Sequence, residues 1–198
     1  MDDKKYMQLA LAEARKAAEL GEIPIGAVLA DMTTGEVIAA AHNMRETWHD
    51  ATAHAEVIVI REACERLGRW RLSGCALYVT VEPCPMCSGA IVNGRVDRVV
   101  YGCPDVKAGG AESIFNIITN PNLNHCAEVV SGICEEECAQ VMRDFFRRRR
   151  QENKAKRKSE AGAQQEKFRQ AVAKTRFFLY NINVNLMRLF RHNRIMET

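Results

Sequence analysis

Apolar residues recur at helical spacing through "YMQLALAEARKAAEL", and Gly21 follows. The stretch is rich in Ala, Leu and Glu, so it predicts a first helix with a glycine stop. "IPIGAVLAD" and "GEVIAAAHN" flank "MTTG" and predict two strands joined by a short turn. "AHAEVIVIREACERLG" places Val57, Ile60, Ala63 and Cys64 on one helical face, with Gly68 after the last turn, and predicts a second helix. "CALYVTVE" is a short unbroken apolar run, the pattern of a central strand buried on both faces. "PMCSGAIVNGR" predicts a third helix opened by Pro85, since proline suits the first helical position. A strand "VDRVVYG", an irregular glycine-containing loop "CPDVKAGGAESIFN", a strand "AEVVSG" and a long charged helix "CEEECAQVMRDFFRRRRQENKAKRK" complete the order. Strands interleaved with helices imply an α/β domain with helices on both faces of one sheet. From about residue 162 the pattern changes, and asparagines alternate with apolar residues from Asn181 to Leu186. Helix, added strand and ordered tail all remain open there.

The 198 residues suffice for one domain with a real core and an appendage. Hydrophobic content of 47% and charged content of 27% are those of an ordinary globular protein. No apolar run approaches the ~20 residues that span a bilayer. The N-terminal "MDDKKYMQLA" has no apolar signal core, so an unprocessed cytoplasmic protein without a membrane partner is expected. The net charge of +3 hides an asymmetry. Residues 1–142 carry 12 basic against 20 acidic residues, and residues 143–198 carry 16 against 5. A mildly acidic body with a strongly basic end points to a polyanion, nucleic acid ahead of a membrane surface.

Eight cysteines are scattered along the chain. A reducing compartment keeps them as thiols, and most read as small buried hydrophobes. Cys134 and Cys138 stand four apart, but a metal there would need two more ligands. Cys84 and Cys87 differ, because they flank a predicted helix start in "EPCPMCSGA". Such a pair serves redox chemistry if one thiol is acidified at the helix N-terminus, or holds zinc if further ligands exist. A catalytic zinc takes three protein ligands and leaves the fourth position to water. His54, at the start of the second predicted helix, is the candidate third ligand, and Glu56 is a carboxylate able to move protons. Residues two apart do not share a helical face. The arrangement therefore requires His54 at the helix entry, with Glu56 reaching across from the first turn.

His54-Ala55-Glu56 and Pro83-Cys84-Pro85-Met86-Cys87 resemble the H-x-E and P-C-x-x-C elements of the zinc-dependent nucleobase deaminases. "GEIPIGAVLAD", "HDATAHAE", "LYVTVEPCPMCSGA", "RVDRVVYGCPDVKAGG", "NPNLNH" and "CAQVMRDFFRRRRQENK" extend the resemblance to the bacterial tRNA-specific adenosine deaminase family over roughly residues 3 to 158. The resemblance implies a cytidine-deaminase-like three-layer α/β/α fold with a five-stranded mixed sheet, here with a C-terminal helical extension. It implies a deaminase domain over 1–160, an extension of unknown role over 161–198, and a homodimer. It also implies one zinc ion per subunit, held by His54, Cys84 and Cys87, with Glu56 as proton shuttle. Asn43 resembles the asparagine that hydrogen-bonds the flipped base, while Ile25, Gly26 and Ala55 would wall the pocket. Asp105, Lys107, His125, Phe145 and Arg149 resemble RNA contacts, and of the adjacent Phe145 and Phe146 one is expected to pack and the other to face RNA. Two departures stand out: Ala51 occupies a position where the family commonly has proline, and everything after about residue 160 falls outside the resemblance.

The implied activity is deamination of adenosine to inosine at the wobble position of a tRNA anticodon, with an arginine tRNA carrying an ACG anticodon as the expected partner. A guanine or cytidine deaminase acting on free bases or nucleosides is the alternative. The arginine-rich helix and the "PDVKAGG" loop speak against it, since a free base needs no grip on phosphate. An RNA-binding module with a structural zinc is disfavoured by Glu56, because a structural site would fill its fourth position with a protein ligand.

Overall fold

The chain is described from a computed structural model, which covers residues 1–195. Asp2 caps the first helix, α1 (Asp3–Leu20), by accepting the Lys5 amide at 3.2 Å, and Gly21 ends it in the left-handed region. β1 (Gly26–Asp31) and β2 (Val37–His42) form the expected antiparallel hairpin. A single helical turn, α2 (Arg45–Trp48), follows; the sequence pattern does not announce it. α3 (Ala55–Leu67), β3 (Cys75–Val81), α4 (Pro85–Gly94), β4 (Arg98–Cys103) and β5 (Glu128–Val130) lie where the periodicity puts them. The last helix, α5, starts at Glu135 and runs to Ile195, so the segment that sequence left open has a helical backbone. No Gly or Pro occurs after Gly162 to interrupt it.

The five strands make one mixed sheet in the order β2-β1-β3-β4-β5. β1 pairs antiparallel with β2 and β3, while β4 runs parallel to β3 and β5. Strand alternation builds two cores. Ala27, Leu29, Leu77 and Val79 face Ile58, Val59, Ala63 and Ile91 of α3 and α4. Val28, Ala30, Ala76 and Tyr78 face Tyr6, Met7, Ala10 and Leu11 of α1, with Cys138 of α5. This is the three-layer α/β/α arrangement expected from the sequence. By packing, the chain divides into residues 1–147 and residues 148 onward, and the second unit is helix as far as it is described. Among the described residues no helix is long and apolar enough to cross a membrane.

Two local contacts fix α1 on the sheet. Gly26 lies so close to α1 that a Cβ there would sit 2.0 Å from the Ala10 carbonyl oxygen and 2.4 Å from the Ala14 nitrogen. At the other end, Arg98 grips Asp3 with two bonds of 2.6 and 3.0 Å, and the Tyr78 hydroxyl donates to the same carboxylate at 2.9 Å. The Arg98 bonds lead in holding the Asp3 carboxyl below its ordinary value.

Gly26→Ala is expected to destabilise the protein by about 2–4 kcal/mol in urea unfolding, because backbone on both sides must move. The Asp3 contribution has a defined pH window. A depressed carboxyl stabilises the fold above its unfolded value, near 3.8, and loses that contribution as pH falls through the lower folded value. Asp3→Asn should therefore lower the urea midpoint at pH 7, and the gap to wild type should close below about pH 4.

Candidate active site

Two helices begin at the same place. His54 is the N-cap of α3 and Cys84 the N-cap of α4, each in extended backbone and neither spending its side chain on capping. Cys87 follows in the first turn of α4 and is buried. The His54 Nδ1 lies 3.7 Å from Cys84 Sγ and 3.5 Å from Cys87 Sγ, and the three ligand atoms fall within 4.8 Å of one another. One imidazole and two thiols at this spacing are a donor set for a transition metal.

Local geometry explains why a His and a Glu two residues apart can act together. Because His54 is an N-cap, with φ −80° and ψ 148°, its side chain is not placed by the helical repeat. Glu56, in the first helical turn, is 3% exposed. Its Oε2 is buried without a hydrogen-bond partner, the one such side-chain oxygen among the described residues. Burial pushes the Glu56 carboxyl up to about 7. The hydrogen bonds from Cys87 and His54 bring the Cys84 thiol down to about 4, and the helix N-terminus favours the same thiolate. Its bond with Cys84 raises His54, and the same partnership with burial raises Cys87. The site thus sets a thiol lowered toward its thiolate form beside a carboxyl one of whose oxygens has no donor, which suits a metal ion and an exchangeable proton.

The remaining candidates are distributed around this centre. Asn43, 3% exposed, donates its amide to Glu22 Oε2 at 3.2 Å, and its backbone N–H donates to the Ile25 carbonyl at 3.0 Å. Ile25 packs against both cores, and Gly26 has a packing role, its side-chain direction being filled by α1. Ala55 is buried at the first position of α3. The Asp105 side chain accepts from the Lys107 and Ala108 amides, shaping a turn that leaves Lys107 exposed. His125 is tied to the Val96 carbonyl at 2.7 Å. Phe145 is 4% exposed and Phe146 is 41% exposed, the two rings meeting edge-on at 5.4 Å. The aromatic available to a partner is therefore Phe146 and not Phe145, whose side chain is buried. Arg149 is exposed on α5, in the second unit.

Sequence reasoning missed two buried carboxylates. Glu22 accepts the Thr47 amide at 2.6 Å as well as Asn43, and so anchors α2 beside Asn43. Glu82, 3% exposed, precedes Pro83 and receives donors from the loop between β4 and β5. Burial pushes both carboxyls up, yet the donated hydrogen bonds outweigh it and hold both below the ordinary value. No local pattern marks either residue; "AGG" at 108–110 is the one hint that backbone comes close to something there.

The family model for MafB19-like deaminases matches residues 1–150. The tRNA-specific adenosine deaminase of Bacillus subtilis (strain 168) is 54% identical over 157 residues, covering 79% of this chain and 96% of its own length. A solved structure from work on A-to-I editing by tRNA:A34 deaminases at the wobble position of transfer RNA has a TM-score of 0.66 at 48% identity, over 69% of this chain and 98% of that one. The guanine deaminase of Nitrosomonas europaea has a TM-score of 0.64 over 72% of this chain and 83% of its own, at 21% identity, which is a likeness of fold alone. Ligand set, sheet and sequence agree, and the chain belongs to the MafB19-like deaminases and, among them, to the tRNA-specific adenosine deaminase family.

Proposed function

We propose that the protein deaminates adenosine to inosine at the wobble position of a tRNA anticodon, with an arginine tRNA carrying ACG as substrate. The observation that carries this reading is the His54, Cys84 and Cys87 cluster beside the buried Glu56, whose Oε2 has no hydrogen-bond partner, in a chain 54% identical to a tRNA-specific adenosine deaminase. The donor set fits zinc, one ion per subunit, which when bound would lower the pKa of water at the site toward neutrality and act as a Lewis acid. Glu56 takes the proton of the attacking water and passes it to a ring nitrogen of adenine. Burial raises this carboxyl above its ordinary value, which suits a group that must both accept and return a proton. The water oxygen becomes bonded to C6 as a hydroxyl; Glu56 then takes that hydroxyl's remaining proton and delivers it to the amine, so the C6–N bond breaks, ammonia leaves and C6 becomes the carbonyl of inosine.

The base must leave its stack to reach the site, and a single-stranded anticodon loop allows this at low cost. Asn43, oriented by Glu22, hydrogen-bonds the inserted base between Ile25 and Ala55. The Asp105–Lys107 turn, His125, Phe146 and Arg149 meet the RNA around it. A tRNA substrate makes the cytoplasm the working compartment, and the enzyme acts as a homodimer. Residues 1–160 form the deaminase domain and 161–198 an extension to it.

The deciding experiment supplies a synthetic anticodon stem-loop carrying a wobble adenosine, with free guanine and cytidine in parallel. Inosine in the stem-loop alone supports the proposal; turnover of guanine or cytidine alone overturns it. Glu56→Ala should lower that turnover by about a thousandfold or more while metal analysis still finds one zinc per chain. Arg150, Lys154 and Arg157 line one exposed stretch of α5. Replacing all three with alanine should weaken stem-loop binding and reduce the slope of log affinity against log salt by about 2–3, measured by fluorescence anisotropy.

A further inference from the structure

We infer that Glu82 is a positioning residue for RNA recognition: its buried carboxylate clamps the 105–113 loop onto the segment that carries Cys84 and Cys87. The inference rests on the function proposed above, in which the turn at 105–107 meets the RNA. Both carboxylate oxygens are used. Oε1 accepts three successive amides, from Ala111 at 3.2 Å, Glu112 at 2.8 Å and Ser113 at 2.9 Å. Oε2 accepts the Asp105 amide at 3.0 Å and the Ser113 hydroxyl. Consecutive N–H groups converging on one oxygen form an anion-binding concavity, here filled by a side chain from two residues before the first cysteine ligand.

The loop is shaped to accept this carboxylate. A Cβ on Gly109 would lie 2.3–2.4 Å from the Glu82 carboxyl atoms, so only glycine lets the backbone close over it. A second tie lies alongside, where the Gly110 amide donates to the Pro83 carbonyl at 2.8 Å. Within the loop, Asp105 accepts the Lys107 and Ala108 amides and leaves Lys107 exposed. Glu82 therefore joins the RNA-facing turn to the start of α4, so that the phosphate-binding turn and the metal ligands are held in one frame. A glutamine in its place would aim an N–H₂ donor at a set of donors and leave buried amides unpaired.

The test uses the full-length zinc protein and Glu82→Gln. We expect unchanged zinc content, and tryptic cutting after Lys107, followed by mass spectrometry, at least about tenfold faster as the loop is released. Kd for the anticodon stem-loop, read in a Glu56→Ala background, should rise about tenfold, and KM should rise while kcat at saturation changes less than about threefold. Cutting at the wild-type rate overturns the clamp. Faster cutting with unchanged RNA affinity overturns the role in recognition, and loss of zinc shows that Glu82 serves the metal segment instead. Should Glu82→Gln fail to fold, Ser113→Ala removes one donor alone and decides by the same cutting assay: about threefold faster supports the clamp, and no change overturns it. Wild-type protein that does not bind the stem-loop sinks the proposed function, whereas accelerated cutting in the variant still supports the clamp.

Discussion

Everything at this site depends on two helix N-termini meeting. The positive ends of α3 and α4 converge, and the residues that occupy their N-caps, His54 and Cys84, turn their side chains to each other and not to capping. An N-cap ordinarily offers an oxygen acceptor to the first amides. These two positions forgo that stabilisation, and with Cys87 they form a donor set that could hold a metal ion. The sheet sets where the helices start. α4 begins just past the C-terminal end of β3, the central strand, and β3 is held antiparallel on one side and parallel on the other. The three donors are brought together only by the fold, so any metal they hold would link its affinity to the stability of the domain.

Much of this frame is legible in the sequence because it is local. Gly21 and Gly68 end helices in left-handed backbone, and Pro85 opens one, as their chemistry dictates. The unbroken run "CALYVTV" is the central strand, buried along its whole length. The difficulty that His54 and Glu56 share no helical face is removed because His54 stands outside the helical repeat. What was not legible is held by distant partners. α2 has no side-chain cap, and its Thr47 amide is satisfied by Glu22, 25 residues earlier. Gly26 reads as a pocket residue in the sequence, yet its closest approach is to α1. Phe145 and Phe146 are indistinguishable by composition, and only the packing of α5 separates the buried ring from the exposed one. The alternation of asparagine with apolar residues after Asn181 imitates a strand, but nothing in the segment stops the helix that precedes it.

Three buried glutamates show how one residue type takes opposite roles. Glu22 and Glu82 are each met by several donors, so burial, which alone would protonate them, is overcome and both are held as anions. Glu56 is as deeply buried but has one oxygen with no donor at all, and its carboxyl is raised to about 7. A saturated carboxylate cannot exchange its proton without breaking the structure around it, so it is fit to hold loops. An unsaturated one changes protonation at little structural cost, so it is fit to carry protons. Donors set against burial divide the architecture from the chemistry: Glu22 is bonded to Asn43 and Glu82 to the 105–113 loop, whereas at Glu56 burial prevails and one oxygen has no donor, which suits a group that exchanges a proton.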